Sequence, residues 1–166
     1  MMFDRAYQES YRTLFKEMQA NTSQNINDES AIPSYIHDNR FLSWIFWRRL
    51  FMALSLAGNL KGKTVLDFGC GAGVTFKYLR AHCSVIVGCD SGFSHLAQLT
   101  CDRFGIKAEL HQNLFEIKER KLDRIFALDV FEHINDLAEV IDHLLTLSND
   151  KTVFVVLPVP NVIWGS

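Results

Sequence analysis

Residues 65 to 74 read Val-Leu-Asp-Phe-Gly-Cys-Gly-Ala-Gly-Val, an apolar run that passes through an acid into alternating glycines. Glycines so placed let the backbone adopt angles closed to other residues and let main-chain atoms approach a ligand with no Cβ in the way. That suits the cradling of a nucleotide-like group; the plainer alternative is a turn that collects glycine for packing. A second acid, Asp90, closes the apolar run Val85-Ile86-Val87-Gly88-Cys89 and lies 23 residues after Asp67. A ribose-binding carboxylate is expected at a spacing of roughly 20. Asp90 can accept hydrogen bonds from both ribose hydroxyls, or it can cap a helix starting near Phe93, a role open also to Ser91 and Ser94. The pattern is G-x-G-x-G, with Val74 where a dinucleotide fingerprint would carry its last glycine, and an acid stands two residues before the first glycine. Both details disfavour a pyrophosphate site.

Glu132-His133 follows another apolar run. An imidazole with an ordinary pKa near 6.5 suits proton removal close to neutrality. The alternative is that His133 only shapes the loop ahead of a helix capped by Asn135 or Asp136. His111 at a strand end and His143 inside a helix read as structural, and spacing reveals no partner for His37, His82 or His95.

These residues need a frame. From Thr64 onward short apolar runs alternate with helical stretches, the pattern of βαβ units around a parallel sheet. Strands are predicted at about 64–68, 85–89, 107–111, 124–128 and 152–157, with helices at about 73–82, 93–104 and 136–147. The connection Gln112–Leu122 is short for a crossover helix and reads as a loop with one turn. Upstream, Phe3, Tyr7, Tyr11, Leu14 and Met18 recur at helical steps and predict an amphipathic helix ending near Ala20. Asn21–Ser34 is polar, closes with Pro33 and reads as a loop, and Phe41 to Ala57 reads as a very apolar helix stopped by Gly58. The division is a helical cap over 1–60 and an α/β core over 61–166.

At 166 residues and 48% apolar, one domain can bury roughly two-thirds of its unfolded surface. A net charge of −2, with 17 basic residues spread along the chain, supplies no electrostatic reason for a nucleic-acid partner. Cys70, Cys83, Cys89 and Cys101 show neither CxxC pairing nor zinc-ligand spacing, so no metal and no disulfide framework is expected; reduced thiols suit a cytoplasmic protein. Arg48 and Arg49 interrupt the most apolar stretch, Phe41–Leu60, which argues against stable membrane insertion. The start MMFDRAYQES has no apolar core of a secretory signal.

VLDFGCGAG resembles the first motif of class I S-adenosylmethionine-dependent methyltransferases, and VGCDSG resembles the acidic loop that follows it. HQNLFEI is similar to the third-strand segment facing the adenine, FALDVFEHINDL to the fourth-strand motif and VFVVLPVPN to the fifth strand, so the likeness spans roughly residues 60–161 and favours the small-molecule types numbered 11, 12 and 23. The resemblance implies a Rossmann-like parallel sheet of order 3-2-1-4-5, with the last two strands of the seven-stranded family fold missing, and S-adenosylmethionine as cofactor with S-adenosylhomocysteine as product. It implies that the backbone at Gly69, Cys70, Gly71 and Gly73 packs against the methionine part, with Asp67 orienting the loop and Asp129 near the methionine end. Asp90 takes the ribose hydroxyls, Ser91 lies beside the adenine, Asn113 stands where the family most often has Asp, and Leu114 packs on the base. Arg40, Arg48 or Arg49 could hold the cofactor carboxylate, with solvated side chains as the default.

Methyl transfer to a small-molecule or lipid-like acceptor is the leading expectation, with His133 as base if the acceptor is a hydroxyl and the two N-terminal helices as a lid. A cofactor-binding module without turnover is the second, since a fold does not guarantee an activity. A nicotinamide-dependent oxidoreductase is disfavoured by Val74 and the downstream motifs. Val153–Leu157 is expected to be an apolar edge strand, covered by the N-terminal helices or a second copy of the chain.

Overall fold

A computed structural model describes residues 5–21, 32–92, 94–118 and 120–157. The elements in order are α1 (Arg5–Asn21), α2 (Ile32–Ile36), α3 (Arg40–Leu56), β1 (Thr64–Phe68), α4 (Phe76–His82), β2 (Val85–Cys89), α5 (Ser94–Phe104), β3 (Glu109–His111), β4 (Arg124–Leu128), α6 (Leu137–Thr146) and β5 (Val153–Leu157). Short 3₁₀ turns cover Leu114–Glu116 and Phe131–His133.

The five strands form one parallel sheet of order β3-β2-β1-β4-β5, a Rossmann-like α/β arrangement. Parallel central strands are covered on both faces and therefore read as nearly continuous apolar runs. Accordingly four consecutive residues are buried in each of β1 and β2. Phe68 stands opposite both Cys89 and Ala127, so β1, β2 and β4 end level and release their loops at one edge. The predicted strand 107–111 shortens to Glu109–His111, because the ladder with β2 begins only at Val87. The predicted helix 73–82 starts at Phe76: Gly71 and Gly73 have φ of +51° and +69°, outside the range of a right-handed helix.

One hydrophobic cluster joins the N-terminal helices to the sheet. Tyr11, Leu14, Phe15 and Met18 of α1, and Trp47, Leu50, Phe51 and Leu54 of α3, are buried with Val65, Phe126 and Val155. Trp47 sits at its centre, with ring centroids 4.9 Å from Tyr35, 5.7 Å from Phe51 and 6.3 Å from Tyr11. Its Nε1 donates to the Tyr35 carbonyl at 3.1 Å. Phe3 of the predicted stripe lies outside the described residues, as do 22–31 of the expected loop. Ile32–Ile36 is helical, not loop, with Pro33 in the first turn, where a missing N–H breaks no helical bond. Asn39 starts α3 by accepting from the Phe41 and Leu42 amides, and Gly58 ends it at φ +68°.

The opposite face of the sheet is closed by a second cluster in which Leu66, Phe68, Val87 and Ile125 meet Leu144 and Leu147. α6 begins at Asp136, whose carboxylate accepts from the Glu139 amide, so Asp136 and not Asn135 is the cap. β5 lies at the edge of the sheet, and Val153, Phe154 and Val156 remain about two-fifths exposed.

Candidate functional site

The turn leaving β1 carries no regular ladder, so its backbone groups need other partners. The amides of Gly69 and Cys70 both donate to the Cys89 carbonyl, at 2.8 and 3.2 Å, and Gly71 donates to Asp90 Oδ2 at 2.8 Å. The carbonyls of three successive residues are met by hydroxyls from distant helices. Thr100 of α5 donates to Ala72 at 2.6 Å, Tyr11 of α1 to Gly73 at 3.0 Å, and Tyr7 of α1 to Val74 at 2.7 Å. Tyr11 also accepts from the Lys77 amide at 3.2 Å, which splices it into the first turn of α4. A Cβ at Gly69 would stand 2.6 Å from Val130, so that glycine is demanded by the approach of the β4 loop. At Gly71 a Cβ would meet nothing within 4 Å; there the demand comes from the backbone angle, and the space beside the loop stays open.

A cavity of about 390 Å³ lies beside Gly69, at the carboxyl ends of β1, β2 and β4. Six of the residues expected from sequence line it: Gly69, Asp90, Ser91, Asn113, Leu114 and His133. Phe68, Val130, Ile134 and Val140 add apolar wall, so that apart from His133 the polar side chains cluster on the β2–β3 side. Asp90 Oδ1 accepts from the Gly92 amide at 3.0 Å, which leaves the carboxylate fixed between two loops. Asn113 Oδ1 accepts from the Phe115 amide at 3.0 Å and thereby caps the 3₁₀ turn that presents Leu114. A carbonyl oxygen has a second lone pair, so this cap does not close Asn113 to a ligand amino group. His133 ends the Phe131–His133 turn on the cavity wall.

The other five expected residues do not line the cavity. Asp67 alternates away from Leu66 and Phe68 along β1 and is 3% exposed; Thr75 donates to its Oδ2 at 2.5 Å. Burial pushes its carboxyl up to about 7, with the Thr75 bond opposing and the Asp90 charge adding to the rise. Cys70 is buried, and burial raises its thiol well above the usual range, so it packs as a small apolar group. Gly71 contributes its amide to Asp90, and Gly73 its carbonyl to Tyr11.

Asp129 sits just after β4 at φ +54°, the one described residue other than glycine in that region. It forms an ion pair with Arg49 of α3. Burial raises the Asp129 carboxyl, and the Arg49 charge opposes that rise. Spacing alone left Arg49 among three candidates, yet a signal was present: Arg49 shares its helical phase with Phe46 and buried Ala53, whereas Arg48 shares the phase of exposed Trp44 and Met52. Two histidines have partners that spacing did not reveal. His37 Nδ1 accepts from the Asn39 amide at 2.9 Å, and His82 stacks on Tyr78 while one ring nitrogen meets its carbonyl. His143 reaches the Ile117 carbonyl at 3.2 Å, a structural place.

Comparison with known proteins gives a consistent picture. A family model described as a methyltransferase domain matches residues 35–163. A ubiquinone biosynthesis O-methyltransferase from Escherichia coli O7:K1 is 32% identical over 99 residues, covering 56% of this chain and 41% of the relative. One from Pseudomonas syringae pv. tomato is 34% identical over 89 residues, covering 50% and 38%. The chain thus spans about two-fifths of the length of these curated relatives. Among solved structures, magnesium protoporphyrin IX methyltransferase from Synechocystis PCC 6803 with bound SAH superposes with a TM-score of 0.56 at 22% identity, over 84% of this chain and 67% of that one. The YcgJ protein from Bacillus subtilis does so at 0.62 and 16%, over 68% and 50%.

Two outcomes are expected from the site's construction. Tyr11→Phe keeps the buried ring but strands the Gly73 carbonyl and the Lys77 amide. Chemical denaturation should show a loss of about 1–3 kcal/mol, the cost of leaving buried groups unpaired. For Asp67, the native state holds a proton that the unfolded chain releases above about pH 4, so its contribution to stability is complete below that pH and is lost as pH rises through about 7. Compared with Asp67→Asn by thermal melts across that window, the wild-type protein should lose stability on the order of 4 kcal/mol. A constant difference between the two proteins would show that Asp67 is ionised throughout.

Proposed function

This chain belongs to the methyltransferase-domain family, and from that premise we propose that it transfers a methyl group from S-adenosylmethionine to a hydroxyl of a small, apolar acceptor. The observation that carries the reading is the fixed Asp90 carboxylate on the wall of a cavity whose other side is apolar. The donor set suits an adenosine. Asp90 accepts from the two ribose hydroxyls, Ser91 and Asn113 offer polar atoms to the adenine edge, and Leu114 with Ile134 supplies apolar surface for its faces.

Just past β4 and outside the cavity lining, Arg49 and Asp129 form a charge pair of the kind that can take a zwitterionic amino-acid group, the guanidinium toward the carboxylate and the carboxylate toward the ammonium. The open side of Gly71 leaves its backbone accessible to a ligand. When bound, S-adenosylmethionine supplies an electrophilic methyl group on a sulfonium, and S-adenosylhomocysteine is the product. The chain's own work is then positional: it aligns the acceptor oxygen, excludes water and removes one proton. His133 is the proposed base for that proton, since it stands on the cavity wall with Asp129 nearby at the end of β4. The choice of a hydroxyl acceptor is supported by the two relatives named for O-methylation, and the apolar acceptor by the aromatic helices α1 and α3 packed beside the loop.

Titration calorimetry with S-adenosylmethionine should show Asp90→Ala losing about 3 kcal/mol, roughly a hundredfold in Kd, from lost bonds to a charged acceptor. An unchanged Kd removes Asp90 from the site, and no heat with the wild-type protein removes the cofactor. With a panel of catechols, polyprenyl phenols, sugars and small acids as acceptors, His133→Ala should lower kcat by about 10²–10⁴ and leave cofactor Kd within about twofold. Equal turnover by the variant would place the base elsewhere.

A further inference from the structure

The helix α3 is apolar on two faces, and only one of them packs against other described residues. Phe41, Trp44, Met52 and Leu56 follow one another at steps that return to the same side of the helix, and they are 64%, 57%, 48% and 61% exposed. Arg48 lies in the same stripe and Arg40 at its margin, while α3 contains no acidic residue. A cationic groove of about 730 Å³ adjoins the stripe between α1 and α3, lined by Arg5, Arg12, Arg40, Glu9, Trp44 and Trp47. Groove and stripe share Trp44. Arg12 donates to Ser43 Oγ at 3.1 Å while its Nε is buried without a hydrogen-bond partner. None of Arg5, Arg12, Arg40 and Arg48 forms an ion pair with a described residue. The chain as a whole carries −2, so this concentration of positive charge is local.

We infer that this face docks on an anionic lipid surface, with Phe41, Trp44, Met52 and Leu56 entering the boundary of the acyl chains and the arginines of the groove and stripe meeting lipid phosphates. The shape and charge favour a bilayer over a peptide. The stripe runs along an exposed helix 17 residues long, which can lie in a deformable interface, and the arginines beside it complement anionic headgroups. Aromatic rings are favoured at headgroup level, and guanidinium groups bind phosphate oxygens in pairs. No helix among the described residues is long and apolar enough to cross a membrane, so the contact is peripheral. It is independent of methyl transfer, because it uses none of the residues assigned to cofactor or proton.

The test is co-sedimentation of the chain, without cofactor or acceptor, with vesicles of phosphatidylcholine alone or of an equal mixture of phosphatidylcholine and phosphatidylglycerol. The protein should pellet with the mixed vesicles, weakly or not at all with phosphatidylcholine, and less as salt rises. Phe41→Ser with Trp44→Ser should lower partition roughly tenfold or more. Arg40→Gln with Arg48→Gln should lower it about 25-fold, at about fivefold per arginine near an anionic surface. All four side chains are exposed, and circular dichroism of each variant checks that the fold is kept. Absence of binding to either vesicle, or binding that the variants leave unchanged, overturns the assignment. So does a concentration-dependent dimer, seen by light scattering without lipid and abolished by the Phe41→Ser, Trp44→Ser pair, since the stripe would then be a contact between copies.

Discussion

A parallel sheet leaves a problem at its carboxyl edge. Where β1 stops pairing and the chain must turn into α4, the backbone groups of residues 69–74 lose their ladder beside a buried core, and each unpaired one would cost about 1–3 kcal/mol. In this protein the remedy is asymmetric. Amides are taken by the Cys89 carbonyl and the Asp90 carboxylate of the next strand, and carbonyls by hydroxyls from α1 and α5. The loop is therefore a junction of four elements, and α1 is part of its support although Tyr7 and Tyr11 lie 67 and 62 residues before the carbonyls they meet. The same constraint explains why the aromatic cluster is needed, because Tyr7 and Tyr11 can reach the loop only if Trp47 and Phe51 hold α1 against the sheet.

Three carboxylates stand around that junction in three environments. Asp67 is enclosed and its carboxyl is pushed to about 7 by burial; Asp90 is tied to two amides at the rim; Asp129 is half-enclosed and faces Arg49. One residue type thus fills a buried hydrogen-bonded position, a rim acceptor and one half of an ion pair. Differences in solvation and partner, not in intrinsic chemistry, separate their roles. Asp129 also holds a left-handed backbone angle, which turns the chain off β4 toward the cavity wall that carries His133.

The helices on the two sides of the sheet are treated differently. α6 buries Leu144 against its face of the sheet and leaves Ile141 and Leu145 exposed, whereas α3 packs one face on the sheet and presents Phe41, Trp44, Met52 and Leu56 outward beside Arg48. Among the described residues β5 is the outermost strand on its side, and Val153, Phe154 and Val156 there are about two-fifths exposed.

Much of this was legible in the residues. Period-two and period-3.6 patterns are local, so strand and helix positions followed from them, while the sheet order and the grouping of Ser91, Asn113 and Leu114 with Asp90 followed from the family resemblance of the motifs. The errors were local as well: β3 is shorter than its apolar run because pairing needs a partner in register, and Ile32–Ile36 is helical where polar neighbours suggested a loop. What only the tertiary structure decided were contacts across 60 to 80 residues, such as Tyr11 to Gly73, Tyr7 to Val74 and Arg49 to Asp129. A tyrosine in an apolar stripe reads as core, and an arginine in a helix reads as solvated, until a neighbour is known. Periodicity states which face of an element is buried; only the packed chain states which polar atom that face brings with it.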